Sequence, residues 1–327
     1  MTRRDKKSHA LLVLPGASGG EAVGAISPRR RRWLARSNFT RAAAETELLQ
    51  QALSAMGLRA PEGGLAAMRL WGQTAERPPG WVAAADPVYL EARLDHLVLH
   101  TLSGPELPEA DVREIFDYLQ RRLSVEGHCG FAGIGTFGYL HCDRGMTTAG
   151  ASPALAAGDS PGRFLPEGAR AATYHRLQGE VQMCLHEWDV NERRARAGLR
   201  PVNALWFWGG GVAPQRATLP LPPLYADDPL FRGYWHSVSA KVADWPADPE
   251  ACLEASPGGF VAITPETGCA AEGARLDDYL RVLHRMLRRG RLRTLTLLFR
   301  DGLRADLRRS DRLRLWRRGP EFPGPAL

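Results

Sequence analysis

The sequence predicts an α/β protein of 327 residues, and three observations carry that expectation. The apolar run Leu11-Leu12-Val13-Leu14, stopped by Pro15-Gly16, has the length and flanks of a buried first strand. Helical apolar periods, as at Val112, Ile115, Phe116, Leu119 and Leu123, alternate with short apolar runs such as Phe260 to Ile263. Residues 97–142 form a compact β-α-β-β pattern, set off by Gly- and Pro-rich stretches at 58–80 and 145–170. A chain this long can bury a large core, as one big domain or two modest ones.

After the first strand, Gly16-Ala17-Ser18-Gly19-Gly20 matches a nucleophile elbow in letters, and also a glycine loop that could face a phosphate. Short glycine motifs are common by chance, so a flexible turn is the favoured reading. The elbow would also need ordered Asp and His partners for Ser18, which the sequence does not place. Arg29 to Arg32 read as a solvated basic run or an arm over the fold, and Asn38 as the cap of a helix ending near Met56. Residues 58–80 read as a linker anchored by Trp71, and Asp86-Pro87 as the start of a short helix. Pro108 suits the first position of a helix running to Leu123, with Glu109 and Asp111 in its first turn and Arg121 and Arg122 in its last. A hairpin follows, Cys129 to Ile134 and Phe137 to Cys142.

His96 and His100 have metal-ligand spacing on a helix, but they flank a strand-like run, where four residues span ~13 Å. Packing is therefore expected of them. Farther on, a helix is expected from Leu230 to Val242 and another over 275–289. The chain then forms a meander turning at Asp301-Gly302, with Leu313 and Leu315 in a third strand.

The net charge of +7 is concentrated at the ends: residues 1–41 carry ten basic and two acidic residues, and 275–327 carry fifteen and six. A small anionic ligand or a protein partner fits this distribution, and so equally do ends that pack beside the acidic middle and neutralise it. No interleaved aromatic pattern or known motif supports nucleic acid. No run of about 18 apolar residues could span a bilayer, and the short apolar patch near the N-terminus does not make a signal segment. A cytoplasmic protein without a membrane anchor is expected. Five cysteines, none in a C-x-x-C, argue against a disulfide framework and for buried thiols.

The densest stretch is 177–211. A helix carrying Leu177, Val181, Cys184, Leu185 and Trp188 leads to a second, capped by Asp189 with Glu192 three residues on. Gly198 ends it, Val202 to Trp208 form a strand, and Gly209-Gly210-Gly211 let the backbone approach something closely. Two readings stand. His186, Asn191, Arg194 and Asn203 could bind a small anion, with Gly209, Gly210 and Gly211 supplying N–H donors. Alternatively, Asn191 and Asn203 satisfy buried backbone groups while Trp206 and Trp208 fill core.

This stretch resembles the RpfE-type regulatory protein family of bacteria, and more distantly the archaeal-type cofactor-independent phosphoglycerate mutases of the alkaline-phosphatase superfamily. The residues that carry the resemblance are Glu180, Gln182, His186, Asn191, Arg194, Pro201-Val202-Asn203 and Trp206 to Gly211. The mutases show a similar H-x-x-N-x-x-R element, although His186 and Asn191 are five apart here. The resemblance implies an alkaline-phosphatase-like three-layer α/β core, formed by residues 1–80 and 165–327, interrupted by an inserted α+β subdomain and linker at 81–164.

The mutase mechanism implied by the resemblance uses two metal ions, Asp and His ligands, and a Ser or Thr nucleophile. Pro15 stands where the mutases place a metal-binding Asp after the first strand, and the last third has no Asp-His pair. His236 and His284 are its only histidines after residue 230. The expectation is a catalytically degenerate relative with no catalytic residues, no metal ligands and no cofactor, acting by binding or regulation. The alternative is a metal-dependent phosphoglycerate mutase or phosphatase.

Overall fold

The computed structural model describes residues 8–17, 24, 26–43, 46–102, 104–123, 129–158, 160–266 and 269–313. The elements run β1 His9–Leu14, α1 Pro28–Leu34, β2 Asn38–Arg41, α2 Leu48–Ala55, α3 Leu65–Thr74, β3 Trp81–Ala92 and β4 Leu97–Thr101. Then come α4 Glu109–Leu123, β5 Cys129–Ile134, β6 Phe137–Cys142, α5 Ala172–His186, α6 Val190–Arg196 and β7 Ala204–Val212. The last part has β8 Leu224–Tyr225, α7 Pro229–Ser237, β9 Val242–Ala243, α8 Pro249–Ala255, β10 Gly259–Ile263, α9 Cys269–Arg289, β11 Thr294–Phe299 and β12 Leu303–Arg308. They fall into two compact units, Met1–Ala60 with Arg216–Leu327, and Pro61–Gln215.

The first unit is built on a seven-stranded sheet in the order β2-β12-β11-β1-β10-β8-β9. β1 lies between β10 and β11, parallel to both, as expected for a fully apolar strand buried on two faces. Side chains alternate across the sheet. Ala10, Leu12 and Leu14 join Leu295, Leu297 and Phe299 in a cluster with Leu34 of α1, Leu253 of α8, and Leu276, Leu280 and Leu283 of α9. On the opposite face α2 packs against β1 and β11. Asp277 of α9 accepts from the Ser27 backbone N–H and hydroxyl and contacts the Arg30 guanidinium at 3.4 Å, fixing α1 onto α9. Arg29 to Arg32 thus lie on a helix, with Arg29, Arg31 and Arg32 exposed as a solvated basic run.

The second unit is an antiparallel sheet, β4-β3-β6-β5, with β7 also paired to β3. One face carries Ala83, Ala85, Leu140, Leu205 and Phe207 against α4 and α5. Close approach of α4 depends on Gly138, where a Cβ would stand 2.0 Å from Phe116 Cζ. α3 contacts β3 and β7.

Several expectations change. Asn38 opens no helix: Asn38-Phe39-Thr40-Arg41 is the strand that completes the terminal meander, pairing antiparallel with β12. The helix begins later, after a capping box between Glu47 and Gln50. Arg309–Leu313 is a 3-10 helix, not a strand, and Leu315 lies outside the described residues. The expected linker contains α3, whose Leu65, Met68 and Trp71 are buried at helical spacing. Asp86-Pro87 lies inside β3. There β6 flanks the strand to Ala84 and β4 from Val88, so Pro87 sits at the changeover, where its missing N–H costs least. The expected helix from Leu230 to Val242 stops at Ser237, and Val242 starts β9.

Cys129 and Cys142, directly opposed across the β5–β6 hairpin, form a disulfide, where most of the cysteines were expected as buried thiols; Cys184 and Cys252 are free thiols. The domain boundaries also move. Residues 61–80 and 165–215, expected in the α/β core, fold with the second unit, because β7 finds its ladder on β3.

Candidate functional site

The polar residues of 177–211 are held by the chain itself. Asn191, at the start of α6, donates through Nδ2 to the carbonyls of Leu185 (2.9 Å) and Val202 (2.8 Å), and its Oδ1 accepts from the Val202 N–H at 2.8 Å. It ties the end of α5 to the entry of β7. Asn203 does the same for the sheet edge, exchanging two bonds with the Leu90 backbone at 2.8 and 2.9 Å. Arg194 is 2% exposed and donates to the Arg200 carbonyl, the Glu106 carbonyl and the Asp111 carboxylate. His186 is exposed at the end of α5. The expected anion cluster of His186, Asn191, Arg194 and Asn203 is therefore corrected: three of the four spend their groups on backbone and Asp111, as buried polar groups must.

The glycines are spent on packing. Gly209 has φ +62°, and a Cβ there would meet Ala66 N at 3.1 Å, at the start of α3. A Cβ on Gly211 would stand 2.5 Å from Gly64 N, and one on Gly210 2.6 Å from Trp81 Cζ2. The Gly210 N–H donates to Thr148 Oγ1 at 3.1 Å. The close approach is thus to α3 and Trp81, and Gly209, Gly210 and Gly211 form no anion cradle. Trp206 is buried, with its indole N–H on the Ala151 carbonyl at 2.8 Å.

Beside them lies a centre that the sequence reading missed. Arg69 of α3 is 4% exposed and donates from Nη1 and Nη2 to the two oxygens of Asp86, each at 2.8 Å. It also reaches the Gly138 carbonyl at 3.0 Å and stacks over Phe137, Tyr139 and Trp208 at 4.7, 4.8 and 5.4 Å. The Trp208 indole N–H donates to the same Asp86 at 2.7 Å. The signal that could have found it was the Leu65–Met68–Trp71 period, which puts Arg69 on a helix.

Open α/β sheets bind ligands beyond the carboxyl ends of their parallel strands. Here that edge presents Pro15-Gly16-Ala17 after β1, Thr264-Pro265-Glu266 after β10, Arg300-Asp301 after β11, Ala226-Asp227-Asp228 after β8 and Asp244 after β9. Thr264 is buried, its N–H on the Val13 carbonyl at 3.0 Å. Arg275, Leu276 and Tyr279 of α9 close over this corner. Ser18 lies outside the described residues. Two divalent cations need several carboxylates to offset their charge. The edge offers Asp227, Asp228, Asp244, Glu266 and Asp301; Asp301 already pairs with Arg41 at 3.3 Å and Asp244 with Arg232 at 2.7 Å, and Asp228 caps α7 by accepting from the Phe231 N–H. Among the described residues no group of three His, Cys, Asp or Glu could hold a metal ion. This donor set does not fit a two-metal site.

Packing places His100 and His284. His100, in β4, stacks on Tyr89 and lies 2.7 Å from Glu91; His96 is exposed. His284 stacks on Trp33 at 4.4 Å. Burial, then the charges of Arg288, Arg29, Arg30 and Arg36, push its pKa down from 6.5 to about 4. Between those values the unfolded chain binds a proton that the folded chain refuses, so this contribution is whole above pH 6.5 and falls as pH drops toward 4. A His284→Phe variant, whose ring can keep the stack, should lose less melting temperature on acidification across that window than the parent. Equal losses would contradict the assignment.

No protein-family model matches the chain. It is similar to the 2,3-bisphosphoglycerate-independent phosphoglycerate mutase of Methanosarcina mazei, 26% identical over 144 residues, 42% of this chain and 36% of that protein. It is 29% identical over 126 residues to a probable enzyme of the same name from Geobacter sulfurreducens, 37% of this chain and 31% of that one. The matches thus span about a third of each curated relative's length. Among solved structures, the PH0037 protein of Pyrococcus horikoshii aligns over 92% of this chain and 86% of its own, with a TM-score of 0.52 and 11% identity. That likeness shows the fold, a mixed α/β architecture shared with PH0037, and the sequence matches show a distant similarity to cofactor-independent phosphoglycerate mutases. No helix among the described residues is long and apolar enough to cross a membrane.

Proposed function

We propose that this chain is a non-catalytic relative of the cofactor-independent phosphoglycerate mutases, with a binding or regulatory role of the RpfE type. The observation that carries the reading is the parallel-strand edge, which presents Pro15, Thr264-Pro265 and Arg300 and where, among the described residues, no three His, Cys, Asp or Glu gather into a metal-binding group. Phosphoryl transfer in this fold class draws on metal ions to offset the developing charge. The carboxylates of this edge are spread over four strand ends, Asp244 and Asp301 are paired with arginine, and among the described residues no three of them gather with His or Cys to hold such ions. The RpfE-type assignment rests on the resemblance in residues 177–211, which the fold uses as a brace between α5, α6 and β7.

The second reading, a metal-dependent mutase or phosphatase, is favoured by the similarity to the two curated mutases. Assay of the purified chain with 2- and 3-phosphoglycerate, in Mg²⁺ or Mn²⁺, separates the two. The proposal expects turnover no faster than the protein-free control. Metal-dependent turnover abolished by EDTA would establish the second reading instead.

A further inference from the structure

A recess in the first unit is unclaimed by either reading. Thr40, Arg304 and Leu298 are consecutive cross-strand partners on β2, β12 and β11, so they share one face of the sheet. α2 packs on the same face over β1 and β11, leaving a cavity of about 320 Å³ between the helix and the edge strand. Arg41, Thr46, Gln51 and Ser54 complete the wall. Its volume lies at the small end of the range for ligand sites.

Hydrogen bonds brace the described part of the wall. The Ala42 N–H donates to the Gly302 carbonyl at 2.9 Å, Arg41 to the Asp301 carbonyl at 3.1 Å, and the Gln51 amide to the Thr46 carbonyl at 2.8 Å. Arg304 meets Asp306 through Nε at 2.9 Å, and no described residue accepts from its terminal nitrogens. The hydroxyls of Thr40, Thr46 and Ser54 likewise have no partner among the described residues. Each arginine has an aspartate beside it, so this is no bare cationic patch. It is a concave wall with guanidinium and hydroxyl groups left to engage a ligand.

We infer that the recess binds a small hydroxylated oxyanion, a carboxylate or phosphate monoester of a few carbons. A guanidinium with free terminal N–H groups matches the paired oxygens of either group. The hydroxyls would meet the ligand's own hydroxyls as donor or acceptor. The inference rests on the binding role proposed above and gives it a place, away from the bracing residues of 177–211.

Calorimetric titration of the whole chain, with EDTA present, tests it using glycerol 3-phosphate, glycerate and inorganic phosphate as probes. Saturable binding of at least one probe is expected, at least tenfold weaker in Arg304→Gln and several-fold weaker in Ser54→Ala. Arg196→Gln, an exposed change in the other unit, should leave it unchanged. Ser54→Ala keeps the test sharp if Arg304→Gln does not fold. Tighter binding of glycerol 3-phosphate assigns a phosphate ligand, and tighter binding of glycerate a carboxylate. No saturable binding of any probe, or binding unaltered in the folded recess variants, overturns the inference. Because EDTA removes metal-dependent turnover, failure here leaves the non-catalytic reading standing, and turnover elsewhere leaves the recess standing.

Discussion

Replacing Arg69 by Met should lower the folding stability by about 3–5 kcal/mol, the cost of breaking a buried ion pair from one side. Arg69 is 4% exposed, and Asp86 holds both of its terminal nitrogens at 2.8 Å. Met fills a similar length but leaves Asp86 with the Trp208 indole as its remaining side-chain donor, and the Gly138 carbonyl without its guanidinium. The stack against Phe137, Tyr139 and Trp208 also loses its cation. Urea unfolding of the second unit should show a lower midpoint at an unchanged slope. Removing the charge of Asp86 as well should recover part of the loss, since an unpaired buried charge costs more than no pair. A single-variant loss below about 1 kcal/mol would mean that the centre is not structural.

Arg194→Met should cost about 2–3 kcal/mol, the range for hydrogen bonds involving a charged group. Its three acceptors, the Glu106 and Arg200 carbonyls and Asp111, join α6 to the start of α4 and to the approach to β7. Arg193, one residue earlier, makes only an exposed pair with Glu114, so Arg193→Met should change stability by less than about 0.5 kcal/mol. The contrast between neighbours separates a brace from a ligand site. A ligand site would leave stability intact at both positions and show its loss in binding alone.

The α/β class was legible because β1 is apolar at every position from Ala10 to Leu14, and α4 and α9 bury their stripes at helical spacing. The β11–β12 hairpin followed from its alternation and its Asp301-Gly302 turn. What failed did so for long-range reasons. Phe39 opposite Ala305 makes 38–41 a strand through a partner more than 260 residues away, which no local propensity reports. Gly63-Gly64 and the prolines around 58–80 hid α3, since the same glycines that suggest a linker allow the close contact with Gly211. Pro87 argued against a strand because its changeover position between β6 and β4 is visible only in the folded sheet.

The site was misjudged in a related way. The residues at 186–211 are chemically dense, but the sequence could not tell whether their polar groups face a ligand or their own backbone. Asn191 and Asn203 each bond both ways to main chain, which the reading of backbone satisfaction had described. The recess at Arg304 escaped notice because half of its wall, Thr40 to Ala43 and Thr46, fell inside an expected helix. The disulfide was legible and was passed over: the expected hairpin already sets Cys129 opposite Cys142, but five cysteines without a C-x-x-C spacing pointed to thiols.

Titration of the whole chain with Mn²⁺, followed by electron paramagnetic resonance, tests most directly the claim that the parallel-strand edge lacks the donors for metal-assisted phosphoryl chemistry. The account predicts that the free Mn²⁺ signal rises in proportion to added metal, with no saturable site per chain. Uptake of two Mn²⁺ per chain with a spin-coupled signal would contradict it and return the protein to the enzymes.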